Sequence, residues 1–360
     1  MKKILVTVSN DIATDQRMER ICTSLVESGF DVEIVGRNQI TSVNLVPKPY
    51  KQSRLDLWFK YGVLFYLELN IRLVFRLLFT KLDILYAVDA DTLIAGSFLK
   101  LFKKIKLVFD AHELFSEVPE LEGRNLKKKV WQLVEKFGIQ WFSDGRLTVS
   151  KSVAEYYARL YGKPFTVVKN CPYTSKHQAG ETTEQFILYQ GALNEGRGLE
   201  ALILAAVSLD LNIKIAGTGD LDEKLKEMVL HHGLEKKVVF LGKLLPERLK
   251  EITGTAWLGY NLLEKKGLSY YYSLSNKTFD YMQAGIPQLI SPFPEYQAIN
   301  QVYPYALESE PEVNSIIEVV KKLKEDKVLY QKLKQGALEA SGVYCWENER
   351  EILRKVILSL

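Results

Sequence analysis

The residues whose types and spacing best suit chemistry lie between 273 and 290. The pattern there predicts a polar loop, a helix that begins near Asn276, a stop at Gly285 and a buried strand over 288–291. Backbone N–H groups at the start of a helix lack intrahelical partners, so such a loop is a ready site for phosphate. Asp280 follows within about one turn, where its carboxylate can accept hydrogen bonds from a sugar diol. We interpret this segment as a nucleotide-sugar site.

A second candidate segment, residues 191–200, follows a predicted strand and opens a helix. Its glycines, beginning with Gly191, allow a ligand to approach the backbone, and Arg197 offers a planar fork suited to diphosphate oxygens. An ordinary glycine-rich turn with a solvated arginine explains these residues equally well. A further turn contains Gly217 and Gly219, which indicate either a ligand or simply a tight bend.

In the first half of the chain, His112 lies at the end of a predicted buried strand. It is flanked by the carboxylates of Asp110 and Glu113. A position at the carboxyl end of a buried strand favours a functional role over a histidine that only bonds a neighbouring carbonyl. Glu113 and Glu117 lie one helical turn apart, but a single nearby histidine does not indicate a metal pair.

Acidic residues follow two other predicted strands, and their roles stay open. Asp11, Asp15 and Arg17 follow the first strand, in a segment without the Gly-x-Gly-x-x-Gly pattern of a dinucleotide site. Asp89 and Asp91 follow the third strand. Capping of the next helix is the commoner use of such residues.

The length and composition indicate a two-domain globular protein. The chain has 360 residues, with 47% hydrophobic and 26% charged residues, and its three cysteines form neither a disulfide framework nor a zinc motif. Together with an N-terminus that enters a strand directly, this predicts a cytoplasmic protein without a cleavable signal. The net charge is +7 for residues 1–175 and −3 for residues 176–360. The basic half suits an anionic membrane surface better than nucleic acid, since no recognisable nucleic-acid module accompanies it.

The most apolar segment, residues 57–79, carries four charges that fall on one side of a helix. They leave an apolar face with Trp58, Phe65, Tyr66 and Phe75. The interpretation that we favour is an amphipathic helix packed on its own domain. The alternative is a surface that touches a bilayer without spanning it.

Short apolar runs alternate with helical stretches along the whole chain, which predicts parallel sheets built from βαβ units. The strands are expected at 4–8, 32–36, 84–88, 106–110, 147–150, 166–169, 186–191, 213–217, 238–242, 257–261 and 288–291. A polar stretch without periodicity separates the two halves. We therefore predict α/β folding into two Rossmann-like, doubly wound domains that face each other across a cleft.

Taken together, these segments resemble the GT-B glycosyltransferases, specifically the retaining family-four enzymes of the group 1 type. In the first half, the matching motifs are Asp-x-Arg, Asp-Ala-His-Glu and Val-Ser-Lys-Ser. In the second half, they are Gly-x-Leu-x-x-x-Arg-Gly, Ala-Gly-x-Gly, Phe-Leu-Gly and Phe-x-Tyr-Met-x-Ala-Gly-x-Pro. The resemblance implies an acceptor-side domain at 1–172, a linker at 173–184, a nucleotide-sugar domain at 185–342 and a helix at 343–360 that crosses back to the first domain.

The resemblance also implies roles for individual residues. Asp280 holds the ribose hydroxyls, and Arg197 and Lys277 carry positive charge at the diphosphate. His112 contacts the transferred sugar near the reacting carbon. Backbone amides meet phosphate at Ser273, Leu274 and Ser275, beside Asn276, while Gly191, Gly217 and Gly219 line the donor site. His112, Arg197 and Lys277 are the expected catalytic residues.

Three positions depart from the family pattern. Tyr272 replaces the first of two glutamates, Asp280 replaces the second with a shorter acid, and Ala192 replaces an arginine that often follows Gly191.

The predicted activity is transfer of a sugar from a nucleotide-diphosphate sugar to a hydroxyl of a glycan or lipid-linked acceptor in envelope polysaccharide synthesis. We expect no cofactor and no metal, and contact with an anionic membrane. Two alternatives stay open: a nucleotide-sugar epimerase on the same fold, and a catalytically degenerate nucleotide-sugar-binding subunit.

Overall fold

The computed structural model describes residues 1–40, 42–174 and 185–360. These residues divide into two compact units: residues 1–170 with 349–360 form the first, and residues 171–348 form the second. Each unit is an α/β structure around one parallel sheet, as the sequence predicts.

In the first unit, the described residues form a seven-stranded parallel sheet with the order β3-β2-β1-β4-β5-β6-β7. The central strands are continuous apolar runs because helices cover both faces of the sheet. The strands are β1 (Lys3–Thr7), β2 (Asp31–Arg37), β3 (Lys51–Leu55), β4 (Ile84–Val88), β5 (Lys106–Ala111), β6 (Gly145–Thr148) and β7 (Thr166–Val167).

Two helices of the first unit begin at a side-chain cap. The side chain of Asp15 accepts a hydrogen bond from the N–H of Met18 at the start of the first helix, and Ser150 caps the fifth in the same way. The helices are α1 (Gln16–Glu27), α2 (Gly62–Phe79), α3 (Asp89–Lys100), α4 (Asn125–Phe137) and α5 (Lys151–Tyr161), with short 3-10 turns at Phe115–Glu117 and Pro119–Leu121 and a π-helical turn at Gly138–Phe142.

In the second unit, six parallel strands of the described chain follow the order β10-β9-β8-β11-β12-β13. They are β8 (Phe186–Gln190), β9 (Asn212–Ala216), β10 (Val238–Gly242), β11 (Leu258–Asn261), β12 (Gln288–Ile290) and β13 (Ala306–Glu308). The helices are α6 (Leu199–Ala206), α7 (Asp222–His231), α8 (Pro246–Thr255), α9 (Gly267–Tyr271), α10 (Asn276–Gln283), α11 (Pro294–Val302), α12 (Val313–Glu325) and α13 (Lys327–Val343).

The last helix, α14 (Trp346–Leu358), begins in the second unit and ends in the first. The backbone N–H of Trp346 donates to the carbonyl of Pro172, and the carboxylate of Glu349 accepts from the N–H of Lys169 at 2.7 Å. The predicted linker at 173–184 lies outside the described residues from 175 onward.

Two strands, β3 and β13, were not predicted from the sequence. Both lie at sheet edges and are short, and β3 has the polar sequence Lys-Gln-Ser-Arg-Leu. Edge strands pair on one side only, so they need no continuous apolar run.

Segment 57–79 contains a helix that packs on its own domain through Leu69, Leu73 and Leu77, as the favoured interpretation predicts, but part of the predicted apolar face is not covered. Phe65 is buried, but Trp58 and Phe75 are exposed. Within the ranges described, no helix is long and apolar enough to cross a membrane.

Candidate active site

The predicted donor residues of the second unit follow the carboxyl ends of β8, β9 and β11. In a parallel sheet these ends share one edge, which is where open α/β sheets bind ligands. Gly191 directly follows β8, Gly217 directly follows β9, and α10 comes after β11 and the short helix α9.

Gly217 and Gly219 of the second turn are required by its close packing against the first turn. A Cβ atom on Gly217 would lie 1.8 Å from the carbonyl oxygen of Gly191, and one on Gly219 would lie 2.5 Å from Oδ1 of Asn194. The N–H of Leu193 also donates to the carbonyl of Thr218 at 3.1 Å. The two turns therefore form one backbone-to-backbone layer, and a role in ligand binding for its glycines stays a prediction.

Arg197 lies against an aromatic ring instead of a carboxylate. The carbon at the centre of its guanidinium group is 4.9 Å from the centre of the Tyr270 ring. Its buried Nε has no hydrogen-bond partner among the described residues. A buried donor without a partner carries a desolvation penalty that an anionic ligand would relieve.

Lys277, the second residue of α10, is similarly placed. It is only 7% exposed, and its ammonium nitrogen lies 4.5 Å from the centre of the Tyr189 ring. The hydroxyl of Tyr189 donates to the carbonyl of Ala192 at 2.5 Å, which fixes the ring beside the first turn.

Neither cation has a carboxylate partner within ion-pair distance in the described parts of the chain. Burial and, second, the positive charge of Arg197 hold the pKa of Lys277 well below its usual range. Two neighbouring cations that lie on aromatic faces, with no carboxylate partner in the described ranges, form a site that favours an anion.

Asp280 lies on the same helix as Lys277, and a series of hydrogen bonds between side chains orients its carboxylate. Nε2 of Gln190 donates to the Asp280 carboxylate at 2.9 Å, and Oε1 of Gln190 accepts from the hydroxyl of Thr253 at 2.7 Å. Gln190 is buried at the end of β8. The carboxylate of Asp280 therefore has a fixed direction before any ligand binds.

The amides before α10 are partly engaged within the protein. The N–H of Ser273 donates to the carbonyl of Tyr270, and the N–H of Ser275 donates to the hydroxyl of Tyr296 at 3.1 Å. The Ser275 hydroxyl donates to Oδ1 of Asn261 at 2.7 Å. To bind phosphate, the amides of Ser273 and Ser275 would have to give up these partners. The next candidate, Asn276, is the first residue of α10.

In the first unit, His112 lies in a buried network of charges after β5. Arg17 and Asp110 form a buried, two-pronged ion pair, with Nη2 of Arg17 at 3.0 and 3.1 Å from the two carboxylate oxygens. Nη1 of Arg17 donates to the carbonyl of Val168, and the hydroxyl of Tyr86 donates to Asp110 at 2.8 Å. Burial of this ion pair is tolerated because its two charges are paired with each other and hydrogen-bonded to neighbouring groups.

The Nε2 atom of His112 lies 3.0 Å from both Oδ2 of Asp110 and Nε of Arg17, and it can bond only one of them at a time. Burial acts to lower the pKa of His112, but Asp110 and then Asp89 outweigh it and raise the pKa above the usual value. The protonated ring therefore donates to Asp110 in preference to accepting from Arg17.

Asp89 and Asp91 have different environments at the start of α3. Asp89 has a φ of 56°, a left-handed conformation that is uncommon outside glycine, and its Oδ1 accepts from the N–H of His112 at 2.8 Å. Burial and then the charge of Asp89 raise the pKa of Asp91 to about 7. Oδ1 of Asp91 has no hydrogen-bond partner among the residues described.

The remaining candidates from the sequence have structural partners. Asp15 caps α1, Asp11 pairs with Arg54 at 2.7 Å, and Glu117 pairs with Lys128 at 2.6 Å. Gln190 and Tyr86 were missed, and the only signal for them was a polar side chain in an otherwise apolar run. No group of three or more His, Cys, Asp or Glu side chains suited to a metal ion occurs in the described ranges.

Sequence comparison identifies two consecutive family matches. The model described as Glycosyltransferase Family 4 matches residues 16–174, and the model described as Glycosyl transferases group 1 matches residues 174–339. No curated protein sequence matches the chain.

Solved structures share the fold over the whole chain. A sucrose-phosphate synthase from Thermosynechococcus elongatus has a TM-score of 0.80 at 15% identity, with 100% of both chains covered. Anabaena HepE, solved with UDP and glucose, has a TM-score of 0.78 at 12% identity, again with 100% of both chains covered. WaaG, a glycosyltransferase of lipopolysaccharide biosynthesis, has a TM-score of 0.75 at 11% identity, with 98% of this chain and 99% of that chain covered.

The order of the sheets, the full-length structural similarity and the two family matches agree with one another. The chain belongs to the family-four, group 1 glycosyltransferases of the GT-B fold.

Proposed function

We propose that this glycosyltransferase moves a sugar from a nucleotide-diphosphate sugar to a hydroxyl of a glycan or lipid-linked acceptor, with retention of anomeric configuration. The observation that carries the proposal is the pair of cations Arg197 and Lys277, which lie beside the turns after β8 and β9 and have no carboxylate partner among the described residues. A diphosphate supplies the negative charge that this pair lacks.

In the reaction, the bond between the anomeric carbon and the diphosphate oxygen breaks, and its electron pair goes to the diphosphate. Arg197 and Lys277 stabilise this developing charge without a metal ion or other cofactor. The acceptor hydroxyl oxygen bonds to the same face of the anomeric carbon, and its proton goes to the leaving phosphate. His112 contacts the transferred sugar near the reacting carbon.

Nucleotide recognition centres on Asp280, which accepts hydrogen bonds from the ribose hydroxyls. Gln190 supports this role because it holds the carboxylate in one direction. UDP is the first nucleotide to test, since Anabaena HepE has been solved with UDP-glucose. The reaction then belongs to cell-envelope polysaccharide synthesis in the cytoplasm, at the inner face of an anionic membrane.

The test is thermal unfolding of the wild type and of Asp280→Ala with UDP, GDP, ADP and dTDP. A nucleotide at ~100 times its dissociation constant should stabilise the wild type by about 2.7 kcal/mol. Asp280→Ala should lose this shift, because the ribose hydroxyls lose their acceptor. Glu339→Ala, which removes an exposed acid on α13, is the matched control and should keep it.

Absence of a shift with all four nucleotides would refute donor binding at this site. A shift that survives in Asp280→Ala would place the nucleotide elsewhere. For the nucleotide that binds, turnover of the corresponding sugar donor with an acceptor then separates a transferase from a subunit that only binds, and the anomeric configuration of the product tests retention.

A further inference from the structure

The solvent-facing side of α2 is apolar, although the helix is not enclosed by protein. Val63, Leu67, Ile71, Phe75 and Phe79 recur every fourth residue and are all exposed, with Phe79 86% exposed. Residues four apart lie on one side of a helix, so these five form a continuous stripe. A helix of a globular protein normally directs polar residues to that side.

The neighbouring helices lie on the same face of the first sheet as α2. The connections β3–α2–β4, β4–α3–β5 and β5–α4–β6 all advance in the same direction across the sheet. Because such crossovers are right-handed, their helices cover the same face. A ring contact of 4.8 Å between Tyr66 and Trp131 joins α2 to α4 directly.

The outer sides of these neighbours are apolar as well. Phe98 on α3 is exposed, as are Leu101 and Phe102 just after it, and the rings of Phe98 and Phe102 lie 5.1 Å apart. On α4 the exposed apolar residues are Leu126, Val130, Leu133 and Phe137. We call the exposed apolar side chains of α2, α3, α4 and the turn at 101–102 the apolar helix layer.

Exposed Trp and Phe side chains are concentrated in one part of the described chain. Every exposed Trp and Phe among the described residues lies between Trp58 and Trp141. The described part of the second unit has none, although it has a core of similar construction. A contiguous apolar surface of this kind marks an interaction site.

Basic side chains border the layer. By the helical period, the apolar stripe of α4 is flanked by exposed Lys129 and Lys136 on one side and by exposed Lys127 on the other. Arg124 in the turn before α4 and Lys104 after α3 are also exposed. An apolar stripe between lysines matches a bilayer surface, where acyl chains meet the stripe and anionic headgroups meet the ammonium groups.

We propose that the apolar helix layer docks this protein on the surface of an anionic lipid bilayer. A symmetric dimer is a poorer occupant, because a two-fold interface places the same patch of each copy against the other and would bring the α4 lysines together. Docking through this layer deepens the membrane contact of the proposed function, and it does not require an occupied donor site.

The test is co-sedimentation of the full chain with vesicles of phosphatidylcholine alone and of phosphatidylcholine and phosphatidylglycerol in equal parts. We expect binding to the mixed vesicles, weaker binding at high salt and little binding to phosphatidylcholine alone. The double variant Phe75→Ser, Phe79→Ser should bind the mixed vesicles at least about tenfold more weakly. The control Leu245→Ser, Val328→Ser removes two exposed apolar side chains of the second unit and should bind as the wild type does.

A second pair of variants tests the contribution of charge to vesicle binding. Lys127→Glu with Lys129→Glu is compared with the control Lys321→Glu with Lys332→Glu, at exposed positions of α12 and α13. Only the first pair should abolish the preference for anionic vesicles.

Nucleotide stabilisation, measured on the same proteins, should be unchanged, so that a failure of docking is distinguishable from a failure of the donor site. A wild-type protein that binds neither type of vesicle would overturn the proposal. A lipid-free oligomer that Phe75→Ser, Phe79→Ser dissociates would overturn it too, because the layer would then be a protein interface.

Discussion

Lys277 is a buried ammonium group on the ring of Tyr189, with a second cation nearby and no carboxylate partner among the described residues. A buried charge without a partner is destabilising, and the usual response is a shift of its pKa toward neutrality. The structure thus holds a lysine whose protonation state should depend on whether an anion is bound.

We therefore predict that nucleoside-diphosphate binding is coupled to proton uptake. Burial and Arg197 lower the pKa of free Lys277, and the bound diphosphate raises it again. At a pH between the two values the complex takes up a proton, and affinity falls as the pH rises through that window. Titration calorimetry in buffers of different ionisation enthalpy measures the uptake.

Lys277→Met should abolish the uptake and weaken binding by about 1.5–3 kcal/mol, the usual range for a lost hydrogen bond to a charged group. Lys266→Met is the matched control, because Lys266 already pairs with Glu195 at 2.6 Å. Uptake that persists in Lys277→Met would assign the titration to another group.

Asp91 provides a pH-dependent prediction for the first unit. Its pKa is raised to about 7 by burial and by Asp89, so the folded state favours the neutral carboxyl. A raised pKa means that the stability contribution is complete below the unfolded pKa and is lost as the pH rises through about 7. Asp91→Asn should remove this slope and should exceed the wild type in stability above that pH by up to about 4 kcal/mol, at ~1.4 kcal/mol per pKa unit.

Denaturant unfolding of both proteins across this pH range measures the effect. Asp56→Asn, which removes an exposed carboxylate of the same unit, should keep the wild-type slope. Equal slopes for Asp91→Asn and the wild type would show that Asp91 is not the titrating group.

At this scale the sequence identifies which residues can do chemistry, but not their partners. The pairing of Arg17 with Asp110 joins residues 93 positions apart, and Gln190 reaches Asp280 across 90 positions. Such pairs depend on which strands become neighbours, and local pattern carries no information on that. For the same reason, the engaged amides of Ser273 and Ser275 could not be predicted.

Among the elements, interior strands were predictable because burial on both faces demands a continuous apolar run. The strand predicted at 84–88 matches Ile84–Val88, and that at 186–191 corresponds to Phe186–Gln190. The edge strands β3 and β13 give no such signal.

Helix α2 shows the limit of periodicity for helices. The charges of segment 57–79 correctly indicate a helix with a wide apolar face, and Leu69, Leu73 and Leu77 pack inward. Periodicity cannot distinguish an apolar side that packs on the sheet from one that meets something else. The exposed stripe from Val63 to Phe79 is visible only once the structure shows which side the sheet covers.

The described residues form two units with separate cores. The units follow one another along the sequence, except that the end of α14 returns to the first unit. Residues 349–360 belong to the first unit, although they follow the last residue of the second. Glu349 bonds the N–H of Lys169, and Arg350 lies 3.6 Å from Glu27. The end of α14 thus completes a unit whose other residues end at 170.

We predict that the buried face of α14 stabilises the first unit specifically. Leu353 is 1% exposed, so Leu353→Ala should lower the free energy of unfolding of that unit by about 2–5 kcal/mol, from lost burial and the cavity left behind. Hydrogen exchange followed by mass spectrometry should show faster exchange in β1 and β5, with β8 and α10 unchanged. Ile352→Ala is the matched control, because its side chain is 37% exposed and its loss leaves no cavity. Faster exchange in the second unit alone, or equal effects of the two variants, would contradict the assignment of this helix end to the first unit.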